Sequence, residues 1–135
     1  MRLDENPGAI LLVDDDDSIL RLVKECLERA GYRVFTACDG DMGLHFFKQK
    51  QKEIALLLTD VVMPNMNGLD LADRVLELDA TLPVVFMSGT VTADRGSGCV
   101  PKPFRGSDLV AKVKTVLRAR HAVRSVRKTD HTLLS

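Results

Sequence analysis

Four short apolar runs in this chain each end on polar or charged residues, and segments of helical spacing separate them. Ala9 to Val13 runs into Asp14-Asp15-Asp16-Asp17, and Ile54 to Leu58 runs into Thr59-Asp60. Val84 to Met87 runs into Ser88-Gly89, and Cys99-Val100-Pro101 into Lys102-Pro103. A further run, Arg33 to Ala37, alternates in type. Strand and helix in alternation predict an α/β fold with a parallel sheet. The C-termini of parallel strands share one edge, and ligands bind in the crevice outside it. Residues far apart in sequence are therefore expected to meet at one small site.

The helical segments have readable ends. Ile19, Leu22, Val23, Cys26, Leu27 and Ala30 recur at three- and four-residue spacing, which predicts a helix from Ser18 to Ala30. Gly31 follows as a left-handed C-terminal cap. Asp39 is the expected N-cap of a second helix reaching Gln49, with Met42, Leu44, Phe46 and Phe47 inward. A third helix spans Leu69 to Leu78. The last starts with Ser107 as N-cap and buries Leu109, Val110, Val113, Val116 and Leu117. From His121 the periodicity fades, and Arg127 to Ser135 is expected to be a frayed tail. Residues 1–8 are read as an N-terminal extension, 9–120 as the domain, and 121–135 as a basic helix end and tail.

One interval is short. Gly89 to Gly98 is ten residues, three of them Gly, whereas a parallel crossover with its helix needs at least ~10–12. The helix between the fourth and fifth strands is therefore expected to be a single turn near Thr92 to Arg95, or absent.

A chain of 135 residues with 45% apolar and 28% charged side chains is of a size and composition usual for one water-soluble domain. No apolar stretch approaches the ~20 residues of a membrane span, so no membrane is expected. Cys26, Cys38 and Cys99 are odd in number and lack CxxC spacing, and residues 1–8 do not resemble a signal peptide. Reduced thiols and a cytoplasmic location are expected. Net charge is zero, but Leu109 to Thr129 carries seven basic residues and no acid. Such a stripe can serve nucleic acid. Lys and Arg gathering toward a helix C-terminus on a solvated face explain it more simply.

Asp60 follows a strand and precedes Val61-Val62-Met63-Pro64-Asn65-Met66-Asn67-Gly68, which is rich in turn formers. A carboxylate placed so can be exposed yet rigidly held; capping the next helix falls better to Asn67 or Gly68. Asp14 and Asp15 are adjacent carboxylates, tolerated mainly where a cation neutralises them. Hard oxygen ligands without His or Cys point to Mg²⁺. Asp16 or Asp17 would cap the first helix. At neighbouring strand ends, the Ser88 hydroxyl and Lys102 ammonium can both bond one phosphoryl group and offset its charge.

These segments resemble a response-regulator receiver domain of the two-component phosphorelay family. The resemblance rests on Leu11-Leu12-Val13-Asp14-Asp15, Thr59-Asp60 through Gly68, Val84 to Gly89, and Lys102-Pro103-Phe104, and covers roughly residues 8–120. It implies a flavodoxin-like, doubly wound, five-stranded parallel sheet in the order 2-1-3-4-5. It also implies that Asp60 accepts a phosphoryl group from a sensor histidine kinase or histidine phosphotransfer protein. Asp15, Asp60 and the Val62 backbone carbonyl would ligate Mg²⁺ directly, Asp14 through water, while Ser88 and Lys102 hold the phosphoryl oxygens. Such a domain is no enzyme, though it assists its own phosphorylation and dephosphorylation.

Two departures stand beside the match. Receivers usually place Tyr or Phe three residues before the lysine, and here that position is Cys99. The shortened crossover removes surface that many receivers use for docking. The pattern is nearer in style to hybrid-kinase or stand-alone receivers. Nucleic acid is not an expected partner, and a monomer or weak dimer is the expected assembly. One alternative is an interaction module that works without phosphorylation. Another is an aspartyl-phosphate phosphatase, which would want an acid where Val62 stands. Val62 and Thr90 would flank the hydrolytic water, and Val62 cannot orient one.

Overall fold

Strand and helix segments alternate along the chain as their hydrophobic periods demand. The computed structural model describes the backbone of residues 8–88 and 98–134, and the side chains of residues 8–88 and 98–120. In chain order the elements are β1 (Ala9–Val13), α1 (Asp17–Arg29), β2 (Arg33–Ala37), α2 (Gly40–Lys50) and β3 (Ile54–Asp60). They continue with α3 (Gly68–Leu78), β4 (Val84–Ser88), β5 (Gly98–Pro101) and α4 (Gly106–Leu134). The strands form one parallel sheet in the order β2-β1-β3-β4-β5, as the resemblance implied. The expected single turn near Thr92 to Arg95, and Thr90 itself, lie outside the described residues.

Alternation along each strand sends successive side chains to opposite faces, and both faces are covered. Ile10, Leu12, Leu56, Leu58, Val85 and Met87 pack under α1 and α4 with Leu20, Val23, Leu27, Leu109 and Val113. Leu11, Val13, Leu57, Val84 and Phe86 pack under α2 and α3 with Phe47, Leu71 and Val75. Central strands buried on both sides read as unbroken apolar runs for this reason.

Helix ends follow local chemistry. The Asp16 side chain caps α1 by accepting from the Ser18 and Ile19 N–H groups, Asp39 caps α2 through Met42, and Asn67 caps α3 through Asp70. At the other end of α1, Gly31 has a φ of 100°. Its N–H bonds the Glu28 carbonyl while the Tyr32 N–H bonds that of Leu27, a Schellman closure.

Four expectations need correction. Ser107 lies inside α4; the helix starts at Gly106, and the Asp108 carboxylate reaches back to accept the Arg105 N–H at 3.2 Å. Met42 is exposed and Leu44 and Phe46 are only half-buried; Phe47 points inward as expected, and Gly40 and Gly43 join it on the buried face. Asp60 is itself the last residue of β3. Finally, α4 continues as helix to Leu134, past the expected fraying at Arg127. No Gly or Pro occurs between Gly106 and Ser135 to break it.

Candidate functional site

Strand register assembles the site. Val13 pairs with Thr59, so Asp14 and Asp60 each stand one step further toward the same edge. Asp60 pairs with Met87, which places Ser88 one step beyond it, and Ser88 pairs with Pro101, which places Lys102 next. The Lys102 N–H donates to the Ser88 carbonyl at 2.8 Å, tying the two strand ends together.

The side chains converge as the register requires. Lys102 Nζ lies 3.0 Å from Asp60 Oδ1 and 3.7 Å from Asp14 Oδ2. Carboxylate oxygens of Asp14, Asp15 and Asp60 all fall within 4.8 Å of one another. Asp14, Asp60 and Ser88 are buried, whereas Asp15 is exposed. Asp60 Oδ1 also accepts the Val61 N–H at 2.9 Å, and Asp14 Oδ1 accepts that of Asp16 at 2.9 Å. Both carboxylates are thus fixed in direction by backbone donors. Val62 follows at once, its side chain 73% exposed at the rim.

The charges do not balance. Three carboxylates against one ammonium leave two negative charges in a partly dry pocket. Burial pushes the Asp14 carboxyl above its ordinary range; the Asp16 N–H pulls it down, and the Asp60 charge pushes it up again. Burial alone would lower the Lys102 ammonium. The hydrogen bond to Asp60 and the charges of Asp14 and Asp60 outweigh that and hold it above the usual lysine range. Asp14 Oδ2 is buried with no hydrogen-bond partner among the described residues. A buried carboxylate oxygen with no hydrogen bond among the described residues, only a 3.7 Å ion pair to Lys102, beside two further carboxylates is the donor set a hard divalent cation takes, so these residues fit Mg²⁺.

With this geometry the family is decided. The profile of the response regulator receiver domain matches residues 10–114. The chain belongs to the response-regulator receiver family. It is 37% identical over 119 residues to the response regulator receiver protein CpdR of Brucella abortus, covering 82% of this chain and 97% of that one. It is 36% identical over 119 residues to the transcriptional regulatory protein CpxR of Escherichia coli, covering 83% of this chain and 50% of CpxR. Among solved structures, the receiver domain of the hybrid histidine kinase CckA superposes with a TM-score of 0.74 at 34% identity, covering 82% of this chain and 99% of that one. The receiver thus spans nearly all of one curated relative and half of the other.

Sequence reading passed over two groups at this receiver's sheet. The Thr59 hydroxyl is fully buried and donates to the Asp60 carbonyl at 2.8 Å; a hydroxyl standing between the aliphatic run of β3 and Asp60 was its signal. At the opposite edge, Arg120 donates to the Ala55 carbonyl at 2.6 Å and lies 3.9 Å from Asp79. Arg120 was assigned to a solvated basic stripe, but its side chain is only 13% exposed. Cys99, at the position of the usual aromatic, is half-buried against the α2–α3 side of the core. No helix among the described residues is long and apolar enough to cross a membrane.

Proposed function

We propose that this receiver accepts a phosphoryl group on Asp60 from a phosphohistidine of a sensor kinase or phosphotransfer protein, assisted by Mg²⁺. The observation that carries this reading is the meeting of Asp60, Asp14, Asp15 and Lys102 at one strand edge. The Asp60 oxygen attacks phosphorus, the phosphorus–nitrogen bond breaks, and the imidazole leaves with the electron pair. The product is an acyl phosphate. Lys102, already 3.0 Å from Asp60, supplies a fixed positive charge to the phosphoryl oxygens as they arrive. Ser88 sits one register step further along the edge, where its hydroxyl can bond one of those oxygens. Backbone bonds from Val61 and Asp16 keep the two buried carboxylates from turning away. Mg²⁺, held by Asp15, Asp60 and the Val62 carbonyl with Asp14 behind, would neutralise charge on the group in transfer. The receiver is no enzyme in its own right on this reading, since it is itself modified, and its place is the cytoplasm.

The test is incubation with acetyl phosphate, with Mg²⁺ or with EDTA. One hydroxylamine-labile phosphate per chain, seen only with Mg²⁺, is expected. Equal labelling in EDTA would overturn the reading. Failure to bind millimolar Mg²⁺ would favour a receiver that works as an interaction module without phosphorylation.

A further inference from the structure

The segment that carries Val62, residues 61–68, is gripped from two sides at contacts with no room for a side chain. On one side, a Cβ on Gly68 would collide with the carbonyl oxygen of Asp60 and stand 3.0 Å from Val61 Cα. The Gly68 N–H closes the same turn by donating to the Val61 carbonyl at 2.8 Å. On the other side, a Cβ on Gly40 would stand 2.7 Å from the Met66 carbonyl oxygen and 2.8 Å from Met66 Cβ. Neither glycine has a positive φ. Close approach, rather than an unusual backbone conformation, is what excludes a side chain at each.

Gly40 is also well placed in the chain. It opens α2 directly after the capping Asp39, and three residues before it the Ala37 carbonyl accepts the Asp14 N–H at 3.2 Å. The start of α2 therefore contacts the 61–68 loop while the strand leading into it holds the backbone of Asp14. Gly68 closes the other end of the loop onto Asp60 itself.

We infer that Gly40 and Gly68 are positioning residues for the phosphorylation of Asp60, because they let α2 and α3 close on the 61–68 loop and fix its backbone beside the carboxylates. This inference rests on the phosphoacceptor reading and adds to it residues that never touch the phosphoryl group. Backbone held in this way presents a carbonyl to a cation without reorganising, and loss of such support weakens metal binding.

The test uses Gly40→Ala, with Gly43→Ala as its control. The nearest atoms to a Cβ at Gly43 belong to the Val13 and Leu71 side chains, at 3.0 and 3.4 Å, rather than to the loop. Mg²⁺ affinity is measured calorimetrically without phosphodonor, beside the thermal midpoint in EDTA. Gly40→Ala is expected to weaken Mg²⁺ binding about tenfold or more, and Gly43→Ala to leave it near the parent value despite its cost in packing. If Gly40→Ala does not fold, Met66→Ala, which keeps the Met66 Cβ but removes the Cγ that lies 2.9 Å from where a Cβ on Gly40 would stand, is expected to weaken Mg²⁺ binding in the same direction. Parent-like affinity in Gly40→Ala, or in Met66→Ala where that stands in, overturns the inference, and so does equal weakening in Gly43→Ala. A parent that binds Mg²⁺ but takes no phosphate would instead end the phosphoacceptor reading.

Discussion

Lys102 hydrogen-bonds Asp60 at 3.0 Å across 42 residues of sequence, joining the ends of β5 and β3, which are not neighbours in the sheet. The bond couples folding to function. The ammonium neutralises part of an acidic pocket before any ligand arrives, and it already faces the oxygen that would carry the phosphoryl group.

Lys102→Met therefore has two expected effects. Without Lys102 the buried carboxylates lose their counter-charge, so stability in EDTA should fall by about 1–2 kcal/mol. Phosphorylation by acetyl phosphate at saturating Mg²⁺ should slow about a hundredfold. Urea unfolding and a phosphorylation time course check both. Unchanged kinetics would remove Lys102 from the chemistry.

Asp14 gives the opposite sign. Its carboxyl is raised by burial, so the folded protein resists an ionisation that the unfolded chain undergoes freely. As pH rises through the ordinary carboxylate range, the folded state holds the extra proton and stability declines until the raised value is passed. Asp14→Asn removes this loss. In EDTA at neutral pH it should be more stable than the parent by about 1–3 kcal/mol, and added Mg²⁺ should stabilise it less. Urea titrations across pH 4 to 7 decide this; a less stable variant in EDTA would contradict it.

Arg120 separates stability from chemistry. It ties α4 to the Ala55 carbonyl at the sheet edge remote from Asp60. Arg120→Ala should lower stability by about 1–2 kcal/mol through the lost charged hydrogen bond, yet leave the phosphorylation rate within about twofold at 25 °C. A large change in rate would mean that α4 reaches the site.

Lifetime of the acyl phosphate is the fourth expectation. Val62 stands exposed at the rim and offers no group that can orient water. Loss of phosphate should depend on Mg²⁺ and Lys102 rather than on a side-chain base. Hydrolysis measured from pH 6 to 8 should change less than about threefold, since no titrating base drives it. A steep rise would contradict the account.

The site was largely legible because each of its members follows an apolar run, and a parallel sheet brings such ends together whatever the loops do. Asp39 was legible as a cap for a similar local reason, and Asp16 and Asn67 each as one of two candidates. Strand order was not: nothing in the runs themselves says that β1 lies between β2 and β3, and the order came from resemblance. Arg120 was misread because an arginine on a fading helical stripe looks solvated until the β3 carbonyl it meets is known. Ser107 was misread because the Asp108 carboxylate, three residues after Arg105, takes the free N–H at the helix start in a local contact, and the sequence reading had weighed only the Ser107 hydroxyl. Met42 looked inward because helical spacing fixes a stripe only up to rotation, and two glycines set the contact face of α2.

The most direct test is intact-mass measurement after incubation with acetyl phosphate and Mg²⁺, comparing the parent with Asp60→Asn and Asp15→Asn. The account predicts one added phosphoryl group on the parent, none on Asp60→Asn, and a strongly reduced amount on Asp15→Asn. A full phosphoryl adduct on Asp60→Asn would contradict it.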